Sequence, residues 1–157
     1  MKLLVFSDSH SALGFMHRCV ERVKPDVIIH LGDYYDDAQA LAESYPHITM
    51  YQVAGNCDRH RAPFGALEQI CTRLGGVMIF MVHGHTHYVK SGIGALVADA
   101  RRKGASVALY GHTHVKDCHQ EEDGLWVLNP GSCGYGGSAG VLEIQDGKIL
   151  DCRIITE

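Results

Sequence analysis

Leu3-Leu-Val-Phe6 runs directly into Ser7-Asp8-Ser9-His10, and this junction decides how the rest of the chain reads. A short apolar run that stops at a polar cluster is a buried strand with its end at a rim. The same unit recurs. Val27-Ile-Ile29 closes at Leu31-Gly32-Asp33, and Ile48 to Val53 closes at Gly55-Asn56-Cys57-Asp58. Between these runs, Leu13, Met16, Val20 and Val23 recur at three- and four-residue steps. That spacing predicts a helix over 11–24, with Ser11 as N-cap and Pro25 as its stop. A second, short helix is predicted over 37–45, ended by Pro46. Strands alternating with helices imply a parallel sheet with helical crossovers. Ligand sites in such sheets lie at the carboxyl ends of the strands, where this sequence puts its polar clusters.

The second half is richer in strands. Val77 to Val82 runs into His83-Gly-His85, and Ser106 to Tyr110 runs into Gly111-His112-Thr113-His114, with a helix predicted over 94–103. Further strands are expected over 125–128, 140–144 and 148–155, the last two joined by a hairpin turn at Asp146-Gly147. The expectation is one α/β domain over 1–157, with two mixed sheets packed face to face.

Composition narrows the function classes. The chain has 157 residues, 46% apolar and 20% charged, which suits a folded core. Fourteen Lys plus Arg against 18 Asp plus Glu give a formal charge of −4. That balance argues against a broad nucleic-acid surface. No apolar run approaches the ~18 residues of a membrane span, and the N-terminal run is too short for a signal peptide, so a cytoplasmic location is expected. The six cysteines form no CxxC pair and read as free thiols. Eleven histidines are unusual, and five of them fall in 83–87 and 111–114. Imidazole is a metal ligand and proton carrier near neutral pH.

Asp8, His10, Asp33, Asn56, His83, His112 and His114 thus stand at five strand ends. Taken singly, each is a turn former, a cap or a surface group. Converging together, carboxylates and imidazoles would be poorly satisfied without a cation, so a metal site is expected. No phosphate-binding GxxxxGK[ST] loop is present, and Gly131-Ser132 does not form a GxSxG elbow. Ser132 is expected to build a loop beside the metals.

In their order along the chain, Asp8-Ser9-His10, Gly32-Asp33, Gly55-Asn56-Cys57-Asp58, His83-Gly84-His85 and Gly111-His112-Thr113-His114 resemble the calcineurin-like metallophosphoesterases, in particular the small YfcE-type branch. Asn129-Pro130-Gly131-Ser132 is similar as well. The resemblance implies a four-layer α/β/β/α sandwich of two mixed sheets flanked by helices. It implies that Asp8, His10 and His114 hold one divalent metal, that Asn56, His83 and His112 hold another, and that Asp33 bridges them. Such a donor set suits manganese, iron, zinc, nickel or cobalt, and manganese is the working expectation. The implied activity is a phosphodiesterase rather than a monoesterase, with a metal-bridging hydroxide attacking phosphorus in line. The implied partners are a small phosphate-ester substrate and a second copy of the chain, as homodimer or homotetramer.

One departure concerns protonation of the leaving group. Many relatives carry His where this chain has Cys57, followed by Asp58. A thiol is a poorer proton source than imidazole near pH 7. Asn56, Cys57, Asp58 and His85 are therefore the candidate catalytic groups, with His60 or a metal-bound water as other donors. Around them, Tyr34, Tyr35, Asp36, Asp37, Arg59, Arg61 and His87 have ordinary readings as caps and solvated groups. A local basic patch is conceivable at Arg101, Arg102 and Lys103. The competing function is a protein-binding scaffold of the same fold, like a retromer subunit, with metal in a structural role. In that subunit the position of His10 is replaced, whereas here it is filled.

Overall fold

The computed structural model describes residues 1–157. In chain order its strands and helices are β1 (Lys2–Phe6), α1 (Leu13–Val23), β2 (Val27–His30), α2 (Tyr35–Ser44), β3 (Thr49–Gln52), β4 (Gln69–Leu74), β5 (Val77–Val82), α3 (Gly94–Arg102), β6 (Val107–Leu109), β7 (Asp117–Gln120), β8 (Trp126–Asn129), α4 (Cys133–Gly136), β9 (Ser138–Gln145) and β10 (Lys148–Thr156). One sheet has the order β10-β9-β1-β2-β3 and the other β4-β5-β6-β8-β7. In the first sheet the parallel strands β1-β2-β3 run from the centre to the edge at β3, with antiparallel β9 and β10 on the other side, whereas in the second the parallel β5-β6-β8 are flanked by antiparallel β4 and β7. This is the mixed two-sheet arrangement expected.

Alternation along the strands explains the layers. In β1, Leu3 and Val5 face the second sheet, where they join Ile29, Ile79, Met81, Leu109 and Leu128 in the central core. Leu4 and Phe6 face the other way and pack with Phe15, Met16 and Leu41 of α1 and α2. In the second sheet Phe80, Val82 and Ala108 likewise meet Leu96, Val97 and Ala100 of α3. A strand covered on both faces must be apolar at every position, which is why these strands read as continuous runs rather than alternating ones. The central core draws on residues from Leu3 to Ile144, so both halves of the chain share it.

Three local expectations are corrected. Helix α1 starts at Leu13, and Ala12 occupies the N-cap position without a side-chain bond. Ser11 instead has φ 69° and gives its backbone N–H to Asp37 Oδ2 at 2.8 Å. Helix α2 starts two residues before the expected Asp37, and the Asp37 carboxylate takes Ser9 Oγ and Ser11 N rather than capping its own helix. Strands β4 and β7 were not expected. Both lie at sheet edges with half-exposed residues, so their apolar signal is weak, although Gly75-Gly76 supplies a tight turn between β4 and β5. The hairpin at Asp146-Gly147 is present, with φ 52° and 73° at its centre, as a two-residue turn between twisted strands requires.

Candidate metal centre

The carboxyl ends of β1, β2, β3, β5 and β6 open on one rim, and the seven expected ligands meet there. Asp8, at 0% exposure, follows β1 directly. Its Oδ1 lies 3.0 Å from His114 Nε2, and its Oδ2 accepts the His112 N–H at 3.1 Å. Asp33 follows β2, with Oδ1 accepting the Cys57 N–H at 2.8 Å and Oδ2 3.6 Å from His83 Nε2. Asn56 and His83 are 3.1 Å apart, Oδ1 to Nε2. The His10 ring lies 5.4 Å from that of His114, edge to face. Two ligand groups emerge, Asp8 with His10 and His114, and Asp8 with Asp33 and His83.

Backbone conformation aims these groups. Asp8, His10, Asp33, His112 and His114 all have positive φ, a region that residues with a Cβ seldom adopt. Such conformations persist only where surrounding bonds impose them, and they cluster at working sites. Two glycines leave the necessary room. A Cβ on Gly111 would overlap Ser7 Oγ and crowd Asp8 Oδ2, and one on Gly55 would overlap Asp33 Oδ1.

The donor chemistry fits divalent cations. His83 Nδ1 lies 2.8 Å from the Leu31 carbonyl, which can only accept, so Nδ1 carries the proton and Nε2 presents a bare lone pair. That lone pair faces a second acceptor, Asn56 Oδ1, and His112 Nδ1 at 3.2 Å. His10 Nε2 is buried with no partner. Acceptors gathered this closely are satisfied by a shared positive charge. Titration agrees. Burial, the neighbouring His83 imidazole and Lys90 bring His112 down to about 4, so the ring is neutral at pH 7. Burial opposes ionisation of Asp33, but His83 and the Cys57 amide outweigh it and hold the carboxyl below its usual range.

A layer beneath the ligands fixes them. The Asp58 carboxylate accepts three backbone N–H groups, from Asp33 at 2.8 Å, Tyr35 at 2.8 Å and Gly55 at 2.7 Å. It is buried, and these three bonds tie it to the backbone of the neighbouring loops. Ser132 Oγ donates to the Asp8 carbonyl and accepts the Tyr135 N–H, and Asn129 Nδ2 donates to the Gly111 carbonyl and to Thr113 Oγ1. Ser132 thus builds the expected loop. Sequence reasoning missed Tyr135, whose ring stacks on His114 at 5.3 Å and lies 4.7 Å from His10. It also missed His30. This buried residue takes the Gly32 N–H on Nδ1 and lies 3.2 Å from Ser9 Oγ through Nε2. A histidine closing the apolar run Val27-Ile-Ile29 was the available signal.

Other candidates separate clearly. Cys57 is exposed at the rim, and burial with the Asp33 carboxylate pushes its thiol up to about 11. His85 lies beside His83, ring centres 5.4 Å apart, with Nδ1 buried and unpartnered. Burial and His83 lower its pKa. Arg61 pairs with Asp36 and covers the Tyr34 ring at 4.0 Å, while His87 binds Asp99 at 3.0 Å and packs on Phe80. Arg101 pairs with Glu121 and Asp123, and Arg102 and Lys103 with Asp99, so no free basic patch forms there.

Residues 1–147 match the family described as the calcineurin-like phosphoesterase superfamily domain. A "Probable metallophosphoesterase" of Mycoplasma pneumoniae is 31% identical over 137 residues, 83% of this chain and 78% of that protein. A phosphodiesterase of Methanocaldococcus jannaschii is 26% identical and matches nearly end to end, 99% of this chain and 98% of the relative. The crystal structure of an uncharacterised protein from Streptococcus pneumoniae, described as a predicted phosphoesterase, superposes with a TM-score of 0.78 at 27% identity, covering 99% of this chain and 88% of the other. With the family match spanning residues 1–147 and a relative 31% identical over 83% of the chain, the chain belongs to the calcineurin-like phosphoesterase superfamily.

Proposed function

We propose that this protein is a metal-dependent phosphodiesterase with a dinuclear centre. Asp8, His10 and His114 would hold one ion, Asn56, His83 and His112 the other, and Asp33 would bridge. The observation that carries this reading is the His83 Nε2 lone pair, aimed at the Asn56 Oδ1 acceptor 3.1 Å away and lying 3.6 Å from the Asp33 carboxylate. When bound, two dications supply a water that ionises near neutral pH and offset charge on the phosphoryl oxygens. Manganese is the ion we expect in use. Because this chain fills the His10 position and leaves its Nε2 unpartnered, the enzyme reading is favoured over the scaffold.

The remaining residues divide by where they sit. Asp58 is a positioning residue that locks the Asp33 and Asn56 loops through backbone amides. His85, whose imidazole burial keeps in the neutral form, lines the cavity beside the centre, and its single N–H is suited to hydrogen-bonding a phosphoryl oxygen. Cys57 replaces the usual proton donor with a thiol that stays protonated and gives its proton up reluctantly. Leaving groups must then depart largely as anions, which favours esters of acidic alcohols. Titrating manganese into chelator-stripped protein tests the centre. Turnover of a diester should rise until two equivalents per chain are bound, and saturation at one would reject the dinuclear assignment.

A further inference from the structure

Beside the metal centre lies a cavity of about 590 Å³ that shares Asn56 and His85 with it. Its far wall is the loop after Asp58, with Arg59, Phe64 and Glu68 facing the space. This loop is anchored at both ends. Ala62 N–H donates to the Asp58 carbonyl at 2.8 Å, and Ala54 N–H donates to the Leu67 carbonyl at 2.8 Å. A positive φ of 82° at Gly65 turns the chain at the tip. The loop therefore holds Phe64 beside the centre, yet the Phe64 ring is fully exposed and packs against none of the three apolar cores. An aromatic ring left uncovered on an anchored loop, at the edge of a cavity continuous with a phosphate-binding rim, has the form of a stacking platform. Arg59 and Glu68 add a donor and an acceptor for the polar edge of a bound ring.

We propose that this cavity is a subsite for a planar ring on the substrate. The protein would then act on phosphodiesters bearing an aryl or nucleoside substituent in preference to those of methanol, glycerol or other small alcohols. The proposal rests on the phosphodiesterase reading and names its substrate class. The phosphoryl group would sit at the metal rim beside Asn56 and His85, and the ring would lie over Phe64.

Calorimetric binding of phenylphosphonate and methylphosphonate to the manganese-loaded protein tests this without turnover. Both present the same anion, and neither is hydrolysed. Phenylphosphonate should bind at least about tenfold more tightly, in line with aromatic stacking. Phe64→Ala should remove most of that difference while leaving methylphosphonate binding in place, and Phe64→Tyr should retain it. Thymidine 5′-monophosphate in the same assay separates the two ring sources, since binding tighter than phenylphosphonate assigns a nucleoside and weaker binding assigns an aryl group. Equal binding of the two phosphonates, or a preference that survives Phe64→Ala, overturns the subsite and leaves the phosphodiesterase reading standing. Failure of both to bind in the presence of metal overturns both.

Discussion

His83 Nε2 and His112 Nδ1 face each other at 3.2 Å across the rim, one at the end of β5 and the other just beyond β6. The Leu31 carbonyl fixes the His83 proton on the far nitrogen, so the near one is a lone-pair donor. The two parallel strands bring these residues together from 29 positions apart. Their meeting is a property of the fold, and it sets two imidazole nitrogens where a cation could be held.

Asp33→Asn keeps the acceptor for the Cys57 amide but removes the charge between the two ion positions. Turnover should fall by more than about 100-fold, with weaker metal binding. Fluorescence or calorimetric titration of manganese beside a steady-state assay checks both. Near-normal turnover would show that Asp33 does not bridge.

Gly111→Ala places a methyl group against Ser7 Oγ and Asp8 Oδ2. We expect a loss of about 1–3 kcal/mol in folding stability from overpacking, and a larger loss of metal affinity because Asp8 must move. Urea denaturation of the metal-free protein measures the first and metal titration the second.

Much of this was legible in the sequence because the strands are buried on two faces. Leu3 to Phe6, Val27 to Ile29 and Val77 to Val82 announce themselves by lacking polar positions, and each hands its terminal Asp or His to the same rim. Edge strands carry no such mark. Gln69-Ile-Cys-Thr-Arg-Leu74 exposes every other residue, and Asp117 to Gln120 contains no strongly apolar residue except Cys118. The candidate ligands were legible as polar residues at strand ends, and their division between two ions came from the family resemblance, but the supports were not legible. Nothing local says that Asp58 holds the amides of Asp33 and Tyr35, since those contacts cross from one βα loop to another. The same is true of Tyr135, which reaches His114 only after α4 turns back to the rim.

His30 should give the metal-free protein an acid-sensitive stability. Burial lowers its pKa from 6.5 to about 4. Between those values the unfolded chain takes up a proton that the folded chain refuses, so stability is lost as pH falls from about 6.5 to about 4. The shift corresponds to about 3 kcal/mol. Asp33, whose folded pKa is lowered, adds a loss that begins only at more acid pH. Urea midpoints at pH 7 and pH 4.5 should differ markedly in the wild type, and His30→Gln should remove part of that difference, the rest coming from His112, whose pKa is likewise lowered to about 4.

Cys57→His restores an imidazole at the exposed edge of the rim. Esters of weakly acidic alcohols should gain about tenfold or more in kcat, and p-nitrophenyl esters should gain little because their leaving group needs no proton. A plot of rate against leaving-group pKa should be steep for the wild type and shallower for the variant. Parallel slopes would show that protonation is supplied from elsewhere.

Metal-dependent hydrolysis of a phosphodiester is the activity proposed for this protein. It is tested most directly by following bis-p-nitrophenyl phosphate and p-nitrophenyl phosphate with chelator-stripped protein, before and after manganese. The account predicts no turnover when stripped, restoration by manganese, and a clear preference for the diester. Tight manganese binding without hydrolysis of either ester, with iron, zinc, nickel and cobalt equally silent, would contradict it and leave a metal-bearing scaffold.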